Sequence, residues 1–181
     1  SESNATGQVM SAPPNILVVD DTPQNVKLLG DILTVKGFSV TTAADGQRAL
    51  ELLRARKFDL VLLDVMMPGM DGFEVCERMQ KDGATRDIPV IFLTALDDTF
   101  DKVRAFSAGA VDFVTKPFRS EELLARVGTH LALRQARRAL EEQNARLREE
   151  IEAHNRAKGT IACLVDEIRS SHDFDGILGE S

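Results

Sequence analysis

The chain has 181 residues, 43% of them hydrophobic and 28% charged, proportions ordinary for one globular domain plus something smaller. A formal net charge of −7 argues against a general binder of nucleic acid or anionic membrane, whose affinity needs basic patches. The two cysteines, Cys76 and Cys163, lie far apart without CxxC spacing and read as reduced thiols. With no signal peptide and no apolar run of about 18 residues, the expectation is a cytoplasmic chain that crosses no membrane.

Residues 1–14 are small, polar and proline-ended, and read as a disordered tail or cloning scar. From Asn15 to about Leu131 short apolar runs alternate with helical patterns. The runs Ile16–Val19, Phe38–Thr41, Leu60–Leu63, Val90–Leu93 and Ala110–Val114 predict strands, bounded as they are by Asp, Gly or Pro. Three of them are apolar throughout, as parallel strands covered on both faces must be. Between them Val26, Leu29, Ile32 and Leu33 share one helical face, as do Ala49, Leu52 and Leu53, and then Phe73, Cys76 and Met79. Gly37 and Gly109 mark helix stops. Five β-α units in succession predict an α/β fold, a doubly wound five-stranded parallel sheet.

In such sheets ligands bind at the carboxyl ends of the strands, where strand order reverses. The polar residues fall there: Asp20 and Asp21 after the first run, Asp64 after the third, Thr94 after the fourth, Lys116 and Pro117 after the fifth. Three carboxylates at one edge cannot all stay ionised unless a cation joins them, and Lys116 or a hard divalent metal can do so. An all-oxygen set suits Mg2+, and the lack of accompanying His or Cys disfavours zinc or copper. One carboxylate then becomes a nucleophile toward phosphorus. Asp64 fits best, since it ends the central apolar strand and precedes a tight loop, Met66-Met67-Pro68-Gly69-Met70-Asp71-Gly72.

The phrases Val19-Asp20-Asp21, Asp64 through Gly72, Leu93-Thr94-Ala95 and Gly109 through Phe118 together closely resemble the two-component receiver domain, over about Asn15 to Leu131. The resemblance implies a flavodoxin-like receiver in which Asp64 accepts phosphate from a partner histidine kinase. It implies magnesium held by Asp21, Asp64 and the carbonyl of Met66, with Asp20 helping through water. Thr94 and Lys116 would contact the phosphoryl oxygens, Phe113 would be the switch aromatic, and the Lys116–Pro117 bond is often cis in this family. Such a domain catalyses only its own phosphorylation and dephosphorylation. A phosphatase with an aspartyl nucleophile shares this chemistry, but it wants an Asp two residues after the nucleophile, where this chain has Met66.

Other residues have plainer readings. Met66, Met67, Met70 and Met79 suit loop and core packing. His130, His154 and His172 lack metal-ligand or phosphorelay spacing and read as surface or linker residues. From Ser120, an N-cap followed by Glu121 and Glu122, helix-forming residues run on. Leu133, Leu140 and Leu147 repeat every seven residues, with Ile161 and Ile168 in register; taken as heptad position d, they put Asn144 and Ile151 at position a. The expectation is a coiled-coil linker over 132–170 that makes a homodimer, its seam weakened by Arg137, His154 and Lys158. The surface from about Asp97 to Lys116 is the expected phosphorylation-sensitive interface.

Ser171 to Gly176 reads as a loop-like exit, and 171–181 as the start of a further output domain. The stretch Glu167 to Ser181, with Phe174 ahead of Gly179-Glu180-Ser181, is similar to the lead-in to the AAA+ ATPase of sigma-54-dependent transcriptional activators. That resemblance implies the regulatory part of such an activator. With no Walker lysine motif or helix-turn-helix in these residues, they themselves would neither hydrolyse ATP nor bind DNA. A receiver joined to a cyclase, phosphodiesterase or histidine kinase is the other reading, since coiled coils precede those outputs too.

Overall fold

A computed structural model describes residues 12–95 and 102–178, without the side chains of Lys102 and residues 172–178. Most of the expected tail, part of the Asp97–Lys116 surface and the terminal Gly179-Glu180-Ser181 phrase therefore lie outside the described residues. The elements run β1(Asn15–Val19), α1(Pro23–Val35), β2(Ser39–Ala43), α2(Gly46–Ala55), β3(Leu60–Asp64), α3(Gly72–Lys81), β4(Val90–Ala95), α4(Lys102–Ala108), β5(Asp112–Lys116) and α5(Ser120–Leu178). All strand pairs are parallel, in the order β2-β1-β3-β4-β5. The three apolar runs are the central strands, buried along nearly their whole length, while β2 and β5 form the half-exposed edges. The expected α/β doubly wound sheet is thus present.

Successive residues of a strand point to opposite faces, and each face feeds its own core. Leu17, Val19, Val61, Leu63 and Phe92 pack with α2 and α3. Ile16, Val18, Leu62, Ile91 and Val114 pack with α1 and the first turns of α5, through Leu29, Leu33, Leu123, Val127 and Leu131. Side-chain caps hold the helices behind the sheet: Asp45 accepts from the amide of Arg48 at 2.7 Å, and Asp71 from that of Glu74 at 2.9 Å. Cys76 is buried, which pushes its thiol up to about 12 and keeps it protonated; Cys163 is exposed.

β2 runs Ser39–Ala43 rather than Phe38–Thr41 and β4 extends to Ala95, and two further differences bear on the site and on α5. β5 covers Asp112–Lys116 rather than Ala110–Val114. Gly109, at φ +108°, ends α4 in the left-handed region, and the chain needs Ala110 and Val111 to recover an extended course. The shift makes Lys116 the last residue of the strand instead of the second beyond it. The second difference lies in α5, which is helical through Gly159 and the expected Ser171–Gly176 loop as far as Leu178. No proline interrupts it, and one interior glycine costs only about 1 kcal/mol against the propagation of an established helix.

The chain divides into a unit of residues 1–134 and a second of 135–181. Within the first, β5 is tied to α5 by an ionic network unexpected from sequence. Asp112 accepts from Arg126 at 2.7 Å and lies 3.0 Å from His130 Nε2. His130, read as a surface or linker residue, is thus a partly buried structural partner, because helical spacing from Arg126 puts both on the face of α5 toward Asp112. Burial works against the Asp112 carboxylate, but its hydrogen bonds to Arg126 and His130 outweigh that and hold its pKa below the usual value. For a depressed acid, the added stability is present above the unfolded value and lost as pH falls through the folded one. Asp112→Asn is therefore expected to cost about 1–2 kcal/mol at pH 7, with the difference from wild type shrinking below about pH 4. Urea denaturation at the two pH values checks this, and a cost that does not diminish in acid would contradict it.

Candidate functional site

The strand order makes the site. The chain leaves β1 for β2 on one side and returns to β3 on the other, so β1 and β3 are neighbours whose following connections diverge. Asp20 and Asp21 follow β1, Asp64 ends β3, and the carboxylates of all three can place oxygens within 4.8 Å of one another. Lys116, at the end of β5, sends its Nζ to within 3.2 Å of both Asp20 Oδ2 and Asp64 Oδ2. Asp20 is 1% exposed and Asp64 3%, whereas Asp21 is exposed.

Local structure holds each carboxylate in place. Asp20 accepts from the Thr22 amide at 2.9 Å and from Asn25 Nδ2 at 3.2 Å, which tie it to the start of α1. Pro23 at the head of that helix sets the turn. Asp64 Oδ1 accepts from the Met66 amide at 3.3 Å. The loop after Asp64 is closed at Gly72, whose amide donates to the Val65 carbonyl at 2.9 Å. A Cβ on Gly72 would collide with the Asp64 carbonyl oxygen and stand 2.9 Å from Val65 Cα, so only glycine allows α3 to start this close to the end of β3.

Burial, and then the neighbouring Asp20 charge, push the Asp64 pKa from 3.8 up to about 6, although Lys116 pulls the other way. Three carboxylates against one ammonium leave two negative charges formally uncompensated. This donor set fits a hard divalent cation: it is all oxygen, it is partly desolvated, and its own lysine does not neutralise it. Asp20, Asp21 and Asp64 are the side chains that could hold such an ion, as the sequence suggested.

The other expected residues lie on β4, β5, α5 and the loop after β3. Thr94 is buried one residue beyond the Leu93 that pairs with Asp64, and its hydroxyl donates to the Ala95 carbonyl at 3.4 Å. Phe113 is partly buried against the core under α2 and α3, in register with Phe92. Met66 has an exposed side chain, so only its backbone faces the pocket residue Asp64. The Lys116–Pro117 bond is cis, the isomer the resemblance implied. Leu133, Leu140, Asn144, Leu147 and Ile151 are all exposed. Sequence reasoning missed Asn25; its only signal was an amide side chain in the first turn of the helix that follows Asp20.

Because the folded chain holds the Asp64 proton to higher pH than the unfolded chain does, stability without a bound cation falls as pH rises from 3.8 to about 6, then levels off. Asp64→Asn removes that penalty. In EDTA at pH 7 the variant is expected to be more stable than wild type by about 1–2 kcal/mol, and near pH 4 to match it. Denaturant titrations at both pH values check this; an Asn variant no more stable at pH 7 would contradict the charge crowding described above.

Comparison with known proteins agrees with this geometry. The family model for the response regulator receiver domain matches residues 16–128. Response regulator PleD of Caulobacter vibrioides is 50% identical over 112 residues, 62% of this chain and 25% of that protein. The DNA-binding dual master transcriptional regulator RpaA of a Synechocystis strain is 46% identical over 114 residues, 63% of this chain and 47% of that protein. The crystal structure of NtrX from Brucella abortus in complex with ADP superposes with a TM-score of 0.66 at 29% identity, covering 71% of this chain and 29% of that one. The matches thus span about a quarter to a half of these relatives' length. With the strand order, the acidic pocket and the family match in agreement, this chain belongs to the response regulator receiver domain family.

Proposed function

We propose that Asp64 is the phospho-acceptor of this receiver, loaded by a histidine kinase, and that its state is passed through α5 to an output domain. The observation that carries the reading is the single ammonium of Lys116 within 3.2 Å of both Asp20 and Asp64, at the end of the strand next to Thr94's. An Asp64 carboxylate oxygen attacks phosphorus, a new O–P bond forms, and the donor's P–N bond breaks. Its electron pair leaves with the imidazole nitrogen, which then takes a proton. A magnesium ion held by Asp21, Asp64 and the Met66 carbonyl, with Asp20 helping through water, would neutralise charge on the transferring group.

The remaining roles belong to the chain itself. Lys116, freed from Asp64 once that carboxylate is an acyl phosphate, has an ammonium positioned to pair with a phosphoryl oxygen. Thr94 offers a hydroxyl whose present bond, at 3.4 Å to a neighbouring carbonyl, is long and readily exchanged for a charged acceptor. A turn of Thr94 toward phosphate opens room beside β4 and β5, where Phe113 is only partly buried and can follow as the switch residue. Asp112, Arg126 and His130 fasten the strand that carries Phe113 and Lys116 to α5, which gives the change a path into the helix.

For the output we favour an AAA+ module of the sigma-54-dependent activator type, with residues 15–131 as receiver, 132–170 as dimerising linker and 171–181 as the lead-in. Two observations support this choice: the Phe174 to Ser181 phrase, and the ADP bound by the NtrX protein that superposes on this chain. With acetyl phosphate and magnesium, wild type is expected to gain the mass of one phosphoryl group, and Asp64→Asn or EDTA-treated protein none. Lys116→Met should take up phosphate roughly 10- to 100-fold more slowly. Intact-mass spectrometry reads all three; equal uptake by wild type and Asp64→Asn would sink the assignment.

A further inference from the structure

In the second unit α5 exposes a narrow apolar seam: Leu140, Leu147, Ile151, Ile161, Val165 and Ile168 are 41–61% exposed. They alternate in steps of three and four residues, interrupted by Asn144, His154 and Lys158, which occupy the same seam. Charged residues dominate the rest of the surface from Glu141 to Glu152. A stripe carried by positions a and d, with Leu164 (52% exposed) beside it at g, suits one more helix of the same rise, whereas packing on a globular core needs a broader face.

How the polar residues would pair decides what that helix is and which way it runs. In a parallel pair in register, a meets a and d meets d. Leu140, Leu147, Ile151, Ile161, Val165 and Ile168 then form all-apolar layers, and Asn144, His154 and Lys158 each meet only their own kind. In an antiparallel pair, a meets d. With the seams overlapped in full, Asn144 faces Ile161, Ile151 faces His154 and Lys158 faces Leu147, leaving Val165 with Leu140 as the sole dry pairing. Sliding by one heptad dries Ile151–Ile161 and Val165–Leu147, but it sets Asn144 against Ile168 and strands Leu140. A polar group left facing an aliphatic one loses its hydrogen-bond partner on burial. The flanks agree: in the parallel register Gln143 meets Arg148 and Glu150 meets Asn155 with no like-charge pair among the e and g positions, so the like-charge cost is confined to the Lys158 layer.

We propose that this seam joins two copies of the chain in parallel and in register, and that Asn144, facing its own counterpart, is the residue that sets strand direction. The proposal rests on the dimerising role given above to the linker and specifies its geometry. His154 and Lys158 make a polar break between a leucine-rich half and an Ile/Val-rich half. Cys163 falls two residues after a d position, at f, and faces away from the partner helix.

The full chain carrying Cys163→Ser, with Leu147→Cys or Ile151→Cys added, tests this under mild oxidation; Cys76 is buried and does not compete. Each variant is expected to link to itself as a covalent dimer. Wild-type Cys163 should stay open to maleimide in a sample that sediments as a dimer. A mixture of Leu147→Cys and Val165→Cys chains should give self-linked dimers, and predominance of the mixed 147–165 disulfide would overturn the parallel register. Asn144→Leu is expected to let mixed links appear; persistence of self-links alone would remove Asn144 from the role assigned to it. A monomeric wild type would overturn the dimer itself, while phosphoryl uptake at Asp64 in the same sample reports separately on the receiver.

Discussion

One ammonium group shared by two buried carboxylates organises this molecule. Lys116 lies at the end of an edge strand, separated from β3 by β4, yet its Nζ stands 3.2 Å from both Asp20 and Asp64. Without it the two acids would face each other in a desolvated cleft, where one of them would stay protonated. Even with it, burial and Asp20 hold the Asp64 pKa at about 6. The pocket is thus left short of positive charge, which gives it an appetite for a divalent cation and for chemistry that moves negative charge.

The surrounding fold can be read as support for that contact. β1 and β3 must be adjacent for Asp20 and Asp64 to meet, and their close packing rests on Ile16 to Val19 and Leu60 to Leu63 being buried on both faces. Thr22 and Asn25 restrain Asp20, while the Met66 amide restrains Asp64. Gly72 lets α3 start directly against the end of β3, where any larger residue would displace it. β5 is held by charge at both ends, through Lys116 in the pocket and through Asp112 on Arg126 and His130. A change in pocket charge therefore acts on a strand already fastened to α5, and rigid, interlocked packing passes small shifts on to its neighbours.

Beyond Arg134 the physics differs. Among the described side chains of the second unit none is buried, and the helix there is kept by propensity and by local pairs such as Arg137 with Glu141 at 3.0 Å. Exposed pairs of this kind add only about 0.3–0.5 kcal/mol each. An apolar seam of this length in water is a strong incentive to pair, whereas its polar layers weaken any pair that forms.

The amino-acid sequence by itself determined the strand count, the parallel sheet and the meeting of Asp20, Asp21, Asp64 and Lys116 at one sheet edge. Period and burial class are written into apolar runs such as Leu60–Leu63, and the strand-end rule then places Asp20, Asp64, Thr94 and Lys116 together. Local signals were weaker where the backbone follows its surroundings. The two-residue shift of β5 depends on how the chain recovers from the left-handed Gly109, and helicity through Ser171–Gly176 comes from propagation of what precedes it. Only the tertiary structure decided that Asn25 holds Asp20 and that His130 joins Arg126 on Asp112. Those contacts depend on side-chain directions set when separate elements pack, and no periodicity along the chain encodes a distance across it.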